Sequence, residues 1–311
     1  MGSDSKKKAG LVILISGLSI LCLSIIFLVR FDIPFDELKK KYANNSSQFI
    51  EIDGVAVHYR DEGTGFPLVL IHGTAASLHT WDGWVKELGA EYRTIRFDLP
   101  AFGLTGPNTD HNYSIKWYTS FLSVLLDTLV IKNCYLAGNS LGGWIAWEFA
   151  AQHPQRVSKL ILIDAAGYTF DHKMPLVFRL AQVPLLNSIF KYVTPRAFIA
   201  MNLREVYGDD QKITASVIDR YYELALRSGN REAFIARAKT QHQDRTDLIG
   251  TITIPTLIMW GREDVWIPWS HATRFQKALL NSELIMYEGV GHIPMEEIPV
   301  KTAQDARTFL Q

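Results

Sequence analysis

Ala137-Gly138-Asn139-Ser140-Leu141-Gly142-Gly143 is the stretch whose reading decides the fold. The residues before it, Cys134-Tyr135-Leu136-Ala137, are apolar and aromatic, as in a strand buried on both faces of a parallel sheet. The residues after it, Trp144 to Ala151, tolerate a helix and run out before Pro154. Strand, sharp turn and helix therefore meet at Gly138-Asn139-Ser140-Leu141-Gly142, with the serine at the apex. A side chain two residues either side of that serine would collide with the neighbouring strand or helix, which is why both positions are glycine. The serine oxygen is thereby held out at the carboxyl edge of the sheet. The blander alternative, a glycine-rich turn whose serine only caps the helix, is weakened by the presence of both flanks.

Outward from this point, apolar strands alternate with helical stretches. Phe49-Ile50-Glu51-Ile52 and Val55-Ala56-Val57-His58-Tyr59 flank a hairpin dipeptide, Asp53-Gly54. Pro67 to Ile71 is a buried strand stopped by His72-Gly73, and Arg93 to Phe97 ends at Asp98-Leu99-Pro100. Ser114 to Val130 is helical in pattern, while Val157 to Ile163, Thr256 to Trp260 and Glu283 to Tyr287 are strands. This alternation argues for an α/β protein with a mostly parallel sheet and helices on both faces, with ligands at the carboxyl ends of its strands. From Gly167 to about Leu248 the strand pattern stops, and large apolar residues such as Met174, Phe178, Leu186, Phe190 and Phe198 follow helical stretches. A helical cap over 167–247, inserted into a core of 48–166 and 248–311, is the expected organisation.

The chain has 311 residues, 48% hydrophobic and 21% charged, with 32 basic and 32 acidic residues, so no nucleic-acid partner is indicated. A short basic segment, 1–10, carries Lys6-Lys7-Lys8 ahead of Leu11 to Val29, an uncharged run dominated by Leu, Ile, Val and Phe. As a helix that run spans about 28 Å, close to the hydrocarbon thickness of a bilayer. It is expected to be a transmembrane anchor, since it is long for a signal peptide and Phe27-Leu28-Val29-Arg30 offers no small-residue cleavage site. Lysine and arginine nearly balance across it, with a slight lean to an inside amino terminus and an extracytoplasmic body. Residues 30–47 read as a tether. Cys22 in the anchor and Cys134 in a buried strand cannot pair.

A serine hydroxyl is a weak nucleophile at neutral pH, so Ser140 needs a base and a carboxylate to orient that base. Gly261-Arg262-Glu263-Asp264 follows the strand ending at Trp260, and Gly289-Val290-Gly291-His292 follows the strand ending at Tyr287. Asp264 and His292 are thus delivered to the same edge as Ser140. Leu141, at the start of the helix, can offer its N–H to a developing oxyanion.

Together with His72-Gly73 and Asp98-Leu99-Pro100-Ala101-Phe102-Gly103, these stretches resemble the α/β-hydrolase fold family over about residues 48–311. The resemblance implies a mostly parallel eight-stranded sheet, with Ser140 as nucleophile, His292 as general base and then acid, and Asp264 as the orienting carboxylate. It also implies Thr74 N–H as the second oxyanion donor beside Leu141, and neither cofactor nor metal. His72 reads as a loop brace rather than a base. Asp164 ends a strand and is an alternative orienter, Glu263 is expected to point away, and Trp81 is either pocket wall or core. Tyr221-Tyr222 resemble the ring-opening tyrosines of epoxide hydrolases, but those enzymes attack with an aspartate where this chain has Ser140, so the pair reads as packing. His292 to Glu297 contains no second histidine at ligand spacing, which argues against a metal.

The function expected is that of a membrane-anchored serine esterase or lipase, cleaving acyl-lipid or monoacylglycerol-like esters through an acyl-enzyme. The alternatives within the fold are carbon–carbon bond hydrolysis of ring-cleavage diketones and a cofactor-free perhydrolase. From another class, a non-hydrolytic ligand sensor remains.

Overall fold

Asp53 and Gly54, at φ 50° and 79°, fold the chain back on itself and pair β1 (Ser47–Ile52) with β2 (Val55–Glu62). Six more strands follow: β3 (Phe66–Ile71), β4 (Tyr92–Phe97), β5 (Cys134–Asn139), β6 (Val157–Ile163), β7 (Thr256–Gly261) and β8 (Ser282–Tyr287). They form one eight-stranded sheet in the order β1-β2-β4-β3-β5-β6-β7-β8, antiparallel only where β2 meets β1 and β4. The computed structural model describes residues 10–12, 14–17, 19, 29–169, 174–184 and 186–311.

The strands are apolar on both faces because both faces are covered. In β6, Leu160 and Leu162 join the core that includes helices Ile115–Thr128 and Leu141–Gln152, while Ile161 and Ile163 join the core around Trp81 and Trp84. Ser114, read as the start of a helical stretch, caps helix Ile115–Thr128 by accepting the Trp117 N–H. β5 lies between β3 and β6, so Ser140 emerges at the middle of the sheet's carboxyl edge.

Between β6 and β7 the chain leaves the sheet through helices Leu176–Gln182, Leu186–Phe190, Arg196–Val206, Ala215–Ala225 and Asn230–Lys239. The stretch 30–47, read as a tether, instead carries a helix, Phe35–Tyr42, and is fastened to this insert. Leu38 is buried against Leu104 and Leu224. Lys41 and the Tyr42 hydroxyl both reach Glu223 (2.7 and 2.8 Å), Arg231 reaches Asp32 (2.6 Å), and the Ile33 N–H donates to the Leu226 carbonyl (2.7 Å). These partners lie far away in sequence, so the local pattern of residues 30–47 carries no sign of them.

The anchor expected over Leu11–Val29 falls largely on residues outside those described, as does Cys22. Among the described residues no helix is long and apolar enough to cross a membrane, so the expected span is not found in the structure.

The junction of β2 and β4 rests on a buried carboxylate. Asp98 bonds His58 Nδ1 (2.8 Å) and accepts the backbone N–H groups of Leu78 (2.7 Å) and Leu104 (2.8 Å). Burial alone would raise its pKa, but the facing His58 and these donors hold the carboxyl well below its usual range. A depressed folded pKa contributes stability above the unfolded value of about 4, and that contribution is lost as pH falls below it. Asp98→Ala is expected to cost roughly 3–5 kcal/mol in urea unfolding at pH 7. Asp98→Asn should flatten the loss of stability that the wild type shows on acidification below about pH 4.

Candidate active site

Ser140 occupies a backbone conformation that side chains rarely adopt, φ 53° and ψ −116°, between β5 and helix Leu141–Gln152. Strain of this kind costs about 1–3 kcal/mol and persists only where the surroundings over-determine it. Here the Ser140 N–H donates to the Ile163 carbonyl, and the Ser140 carbonyl accepts from Trp144 and Ala166, each at 3.0 Å. The two glycines are sterically required. A Cβ on Gly142 would lie 2.2 Å from the Ile71 carbonyl oxygen, and one on Gly138 2.2 Å from that of Gly142.

Asp264 and His292 come from the turns after β7 and β8. His292 Nδ1 bonds Asp264 Oδ2 at 2.7 Å, and Asp264 Oδ1 accepts the N–H groups of Trp266 (2.8 Å) and Ile267 (2.9 Å). A carboxylate on Nδ1 places the ring proton there and leaves Nε2 as the acceptor. Both residues are buried, whereas Ser140 retains 9% exposure. The His292 loop is pinned from three sides: its N–H donates to the Val206 carbonyl (2.8 Å), its carbonyl accepts Asn139 Nδ2 (2.9 Å), and Glu297 accepts the Gly291 N–H (2.9 Å).

Ser140, His292 and Thr74 line two spaces at once. One is a cavity of about 650 Å³, also lined by Leu141, Trp144, Gln182 and Arg237. The other is a narrow apolar chamber of about 80 Å³ bounded by Val177, Phe178, Ile199, Leu203 and Phe234. A further apolar pocket of about 60 Å³ shares Val177, Ile199, Ala225 and Phe234 with that chamber. Leu141 opens its helix, where the first N–H groups have no intrahelical acceptor. Thr74 is brought alongside by Gly73, at which a Cβ would lie 2.9 Å from Asn139 Oδ1 and 3.0 Å from Ser140 Cβ.

A family model described as alpha/beta hydrolase fold matches residues 67–299. The chain belongs to the alpha/beta hydrolase fold family. An uncharacterized protein of Mycobacterium tuberculosis is 31% identical to it over 85% of this chain and 80% of its own length. A 2-hydroxymuconate semialdehyde hydrolase of Pseudomonas sp. is 28% identical over 83% of this chain and 91% of its own. The crystal structure of a bacterial membrane phospholipase A superposes with a TM-score of 0.73 over 98% of both chains; at 24% identity it shows a shared fold.

Other candidate residues of this hydrolase-fold chain separate cleanly by environment. His72 bridges two backbone segments, with Nδ1 at 2.7 Å from its neighbour's carbonyl and Nε2 accepting the Leu99 N–H at 2.9 Å. Burial lowers its pKa and favours the neutral ring. Trp81 is core, edge-on to Trp84, and Glu263 is exposed. Tyr221 lines the narrow chamber with its hydroxyl on Glu296 (2.8 Å), to which Arg220 is also bound.

Asp164 lies within 4.8 Å of both Asp264 and His292, and these three are the group among the described residues that could hold a cation. Burial, then the neighbouring Asp264, raises its pKa well above the usual carboxylate value. Its Oδ1 accepts the Gly261 N–H at 3.0 Å.

Asn139, Glu297 and Arg237 were not singled out in the sequence. Asn139 stands inside the decisive motif, but its amide is used by a loop more than 150 residues away, with 153 positions separating donor and acceptor. Gly73→Ala should push the Thr74 loop away from Ser140 and slow fluorophosphonate labelling of the serine by about 10-fold or more, with little change in the melting temperature.

Proposed function

We propose that the protein is a serine hydrolase of carboxylic esters whose acyl part is an apolar chain. The observation that carries this reading is that Ser140 and the Asp264-bonded ring of His292 line both a wide cavity and a narrow apolar chamber. An ester carbonyl at Ser140 would have an apolar recess on one side for the acyl chain and room on the other for the alcohol.

In the proposed reaction Ser140 Oγ bonds to the carbonyl carbon as its proton passes to His292 Nε2. Asp264 stabilises the imidazolium, and the N–H groups of Leu141 and Thr74 receive the oxyanion. Collapse breaks the bond to the alkoxide, which leaves as alcohol with the proton from His292. Water then repeats the sequence on the acyl-enzyme and releases the acid.

Carbon–carbon hydrolysis of a diketone is the second reading, favoured by the likeness to the 2-hydroxymuconate semialdehyde hydrolase. Arg220 of the insert is bound to Glu296, so on that reading a substrate carboxylate would fall to Arg237 on the cavity wall. The ester reading also keeps residues 11–29 as a membrane anchor. Its described apolar residues Leu11, Val12, Leu14 and Ile15 are each more than half exposed.

Ser140→Ala should lower kcat on simple esters by about 10⁴-fold or more, and Asp264→Asn by about 10⁴-fold. A series of p-nitrophenyl esters tests the chain preference. Ala225→Phe, which fills the passage between the two apolar pockets, should move the optimum to shorter acyl groups. Ester turnover that survives Ser140→Ala would sink the proposal.

A further inference from the structure

The walls of the wide cavity and the narrow chamber differ in charge. Arg237 and Lys239 line the wide cavity, and no Asp or Glu does so among the described residues. Arg96, Arg220, Arg231 and Arg245 each meet a carboxylate, on Glu62, Glu296, Asp32 and Glu148 respectively. Arg227 meets no carboxylate among the described residues but donates to the carbonyls of Leu104 and Ser228, and Arg237 differs from it and from the paired arginines. No carboxylate is within ion-pair distance of Arg237 among the described residues, and its buried Nε has no hydrogen-bond partner.

The guanidinium instead lies over Trp144, 5.9 Å from the ring centroid, on the same cavity wall. Burial lowers its pKa, with Tyr118 the neighbour that opposes the shift. A guanidinium stays charged even so. The side chain is half-buried and faces the cavity, and an oxyanion from a ligand there would supply both the counter-charge and the acceptors that the protein does not.

We propose that Arg237 makes the wide cavity an anion site, which takes a phosphate or carboxylate carried on the alcohol side of the substrate. The assignment of that side rests on the ester reading above. The substrate class is then an anionic amphiphile: an acyl chain in the apolar chamber and a charged headgroup on Arg237, with Lys239 adding to the field. A neutral monoacylglycerol would leave the guanidinium unmatched.

The test separates binding from turnover by using Ser140→Ala, whose ligands are not consumed. Octyl phosphate, octanoate and the neutral 1-octyl glyceryl ether share one chain and differ in headgroup. Calorimetric titration is expected to show one of the anions binding about 10- to 100-fold more tightly than the ether, the span of one charge-assisted hydrogen-bonded contact. The anion preferred identifies the source, a phosphoester headgroup or a carboxylate.

Adding Arg237→Gln should erase that preference, and Arg237→Lys, which keeps the charge but loses the fork, should retain part of it. Arg237→Lys also serves as the readable variant if Arg237→Gln fails to fold, as judged by its melting curve. Equal binding of the three ligands to Ser140→Ala, or a preference that survives both Arg237 variants, would overturn the proposal. Loss of the ester reading looks different: the wild type would turn over no ester while the binding preference stayed.

Discussion

The site depends on a close approach between Gly142 and the carbonyl of Ile71, at the carboxyl end of β3. It lets helix Leu141–Gln152 begin directly above the sheet, and so lets Ser140 hold φ 53° without relaxing into a wider turn. Three backbone bonds, to Ile163 of β6, to Trp144 of the helix and to Ala166 beyond β6, offset the strain. The serine is consequently a fixed point. The His292 loop is placed relative to it by the amide of Asn139, the residue before the serine.

That dependence explains what could be read in the sequence. The glycines of the elbow, the apolar runs of β3 to β8 and the positions of Asp264 and His292 just past strand ends are local patterns, and local patterns determine them. Helix Phe35–Tyr42 had no such pattern. Its one buried residue, Leu38, is surrounded by Asp36, Glu37 and Lys39 to Lys41, and its stability comes from Glu223 and Leu224. Arg237 was illegible for a different reason. An arginine in a helix of mixed composition is ordinary, and what sets it apart is its place on the cavity wall with no carboxylate at ion-pair distance among the described residues. Asp164 was visible as a strand-end acid, but the upward push on its pKa comes from burial beside Asp264, which no spacing reveals.

The division of labour follows from topology. The turns at the strand ends carry Ser140, Asp264 and His292, and the insert between β6 and β7 supplies most of the walls: Val177, Phe178, Ile199, Leu203 and Phe234 on the apolar side, Arg237 and Lys239 on the charged side. Relatives can therefore share the elbow and the strand-end turns while differing in what they cleave. The insert is also what the segment 30–42 grips, through Asp32, Lys41 and Tyr42. The chain leading out of the amino-terminal run is thus mechanically joined to the substrate-facing element rather than to the sheet alone.

A second set of serine, histidine and aspartate in the same molecule shows how the arrangement proposed as reactive differs from a structural one. Ser47 Oγ is 2.9 Å from His58 Nε2, and His58 Nδ1 is 2.8 Å from Asp98, distances that would suit a triad. Yet Ser47 Oγ also accepts from Arg60 Nε (3.1 Å) and from the Asn44 N–H (3.1 Å), so its lone pairs are already engaged. Asp98 is shared with two backbone N–H groups that tie neighbouring loops to the sheet. Ser140, in contrast, borders open space on two sides and follows a strained turn, next to N–H groups at a helix start. Residue identity alone would rank the two sets equally. Reactivity requires in addition a hydroxyl with an unfilled lone pair and a void in which a carbonyl carbon can reach it.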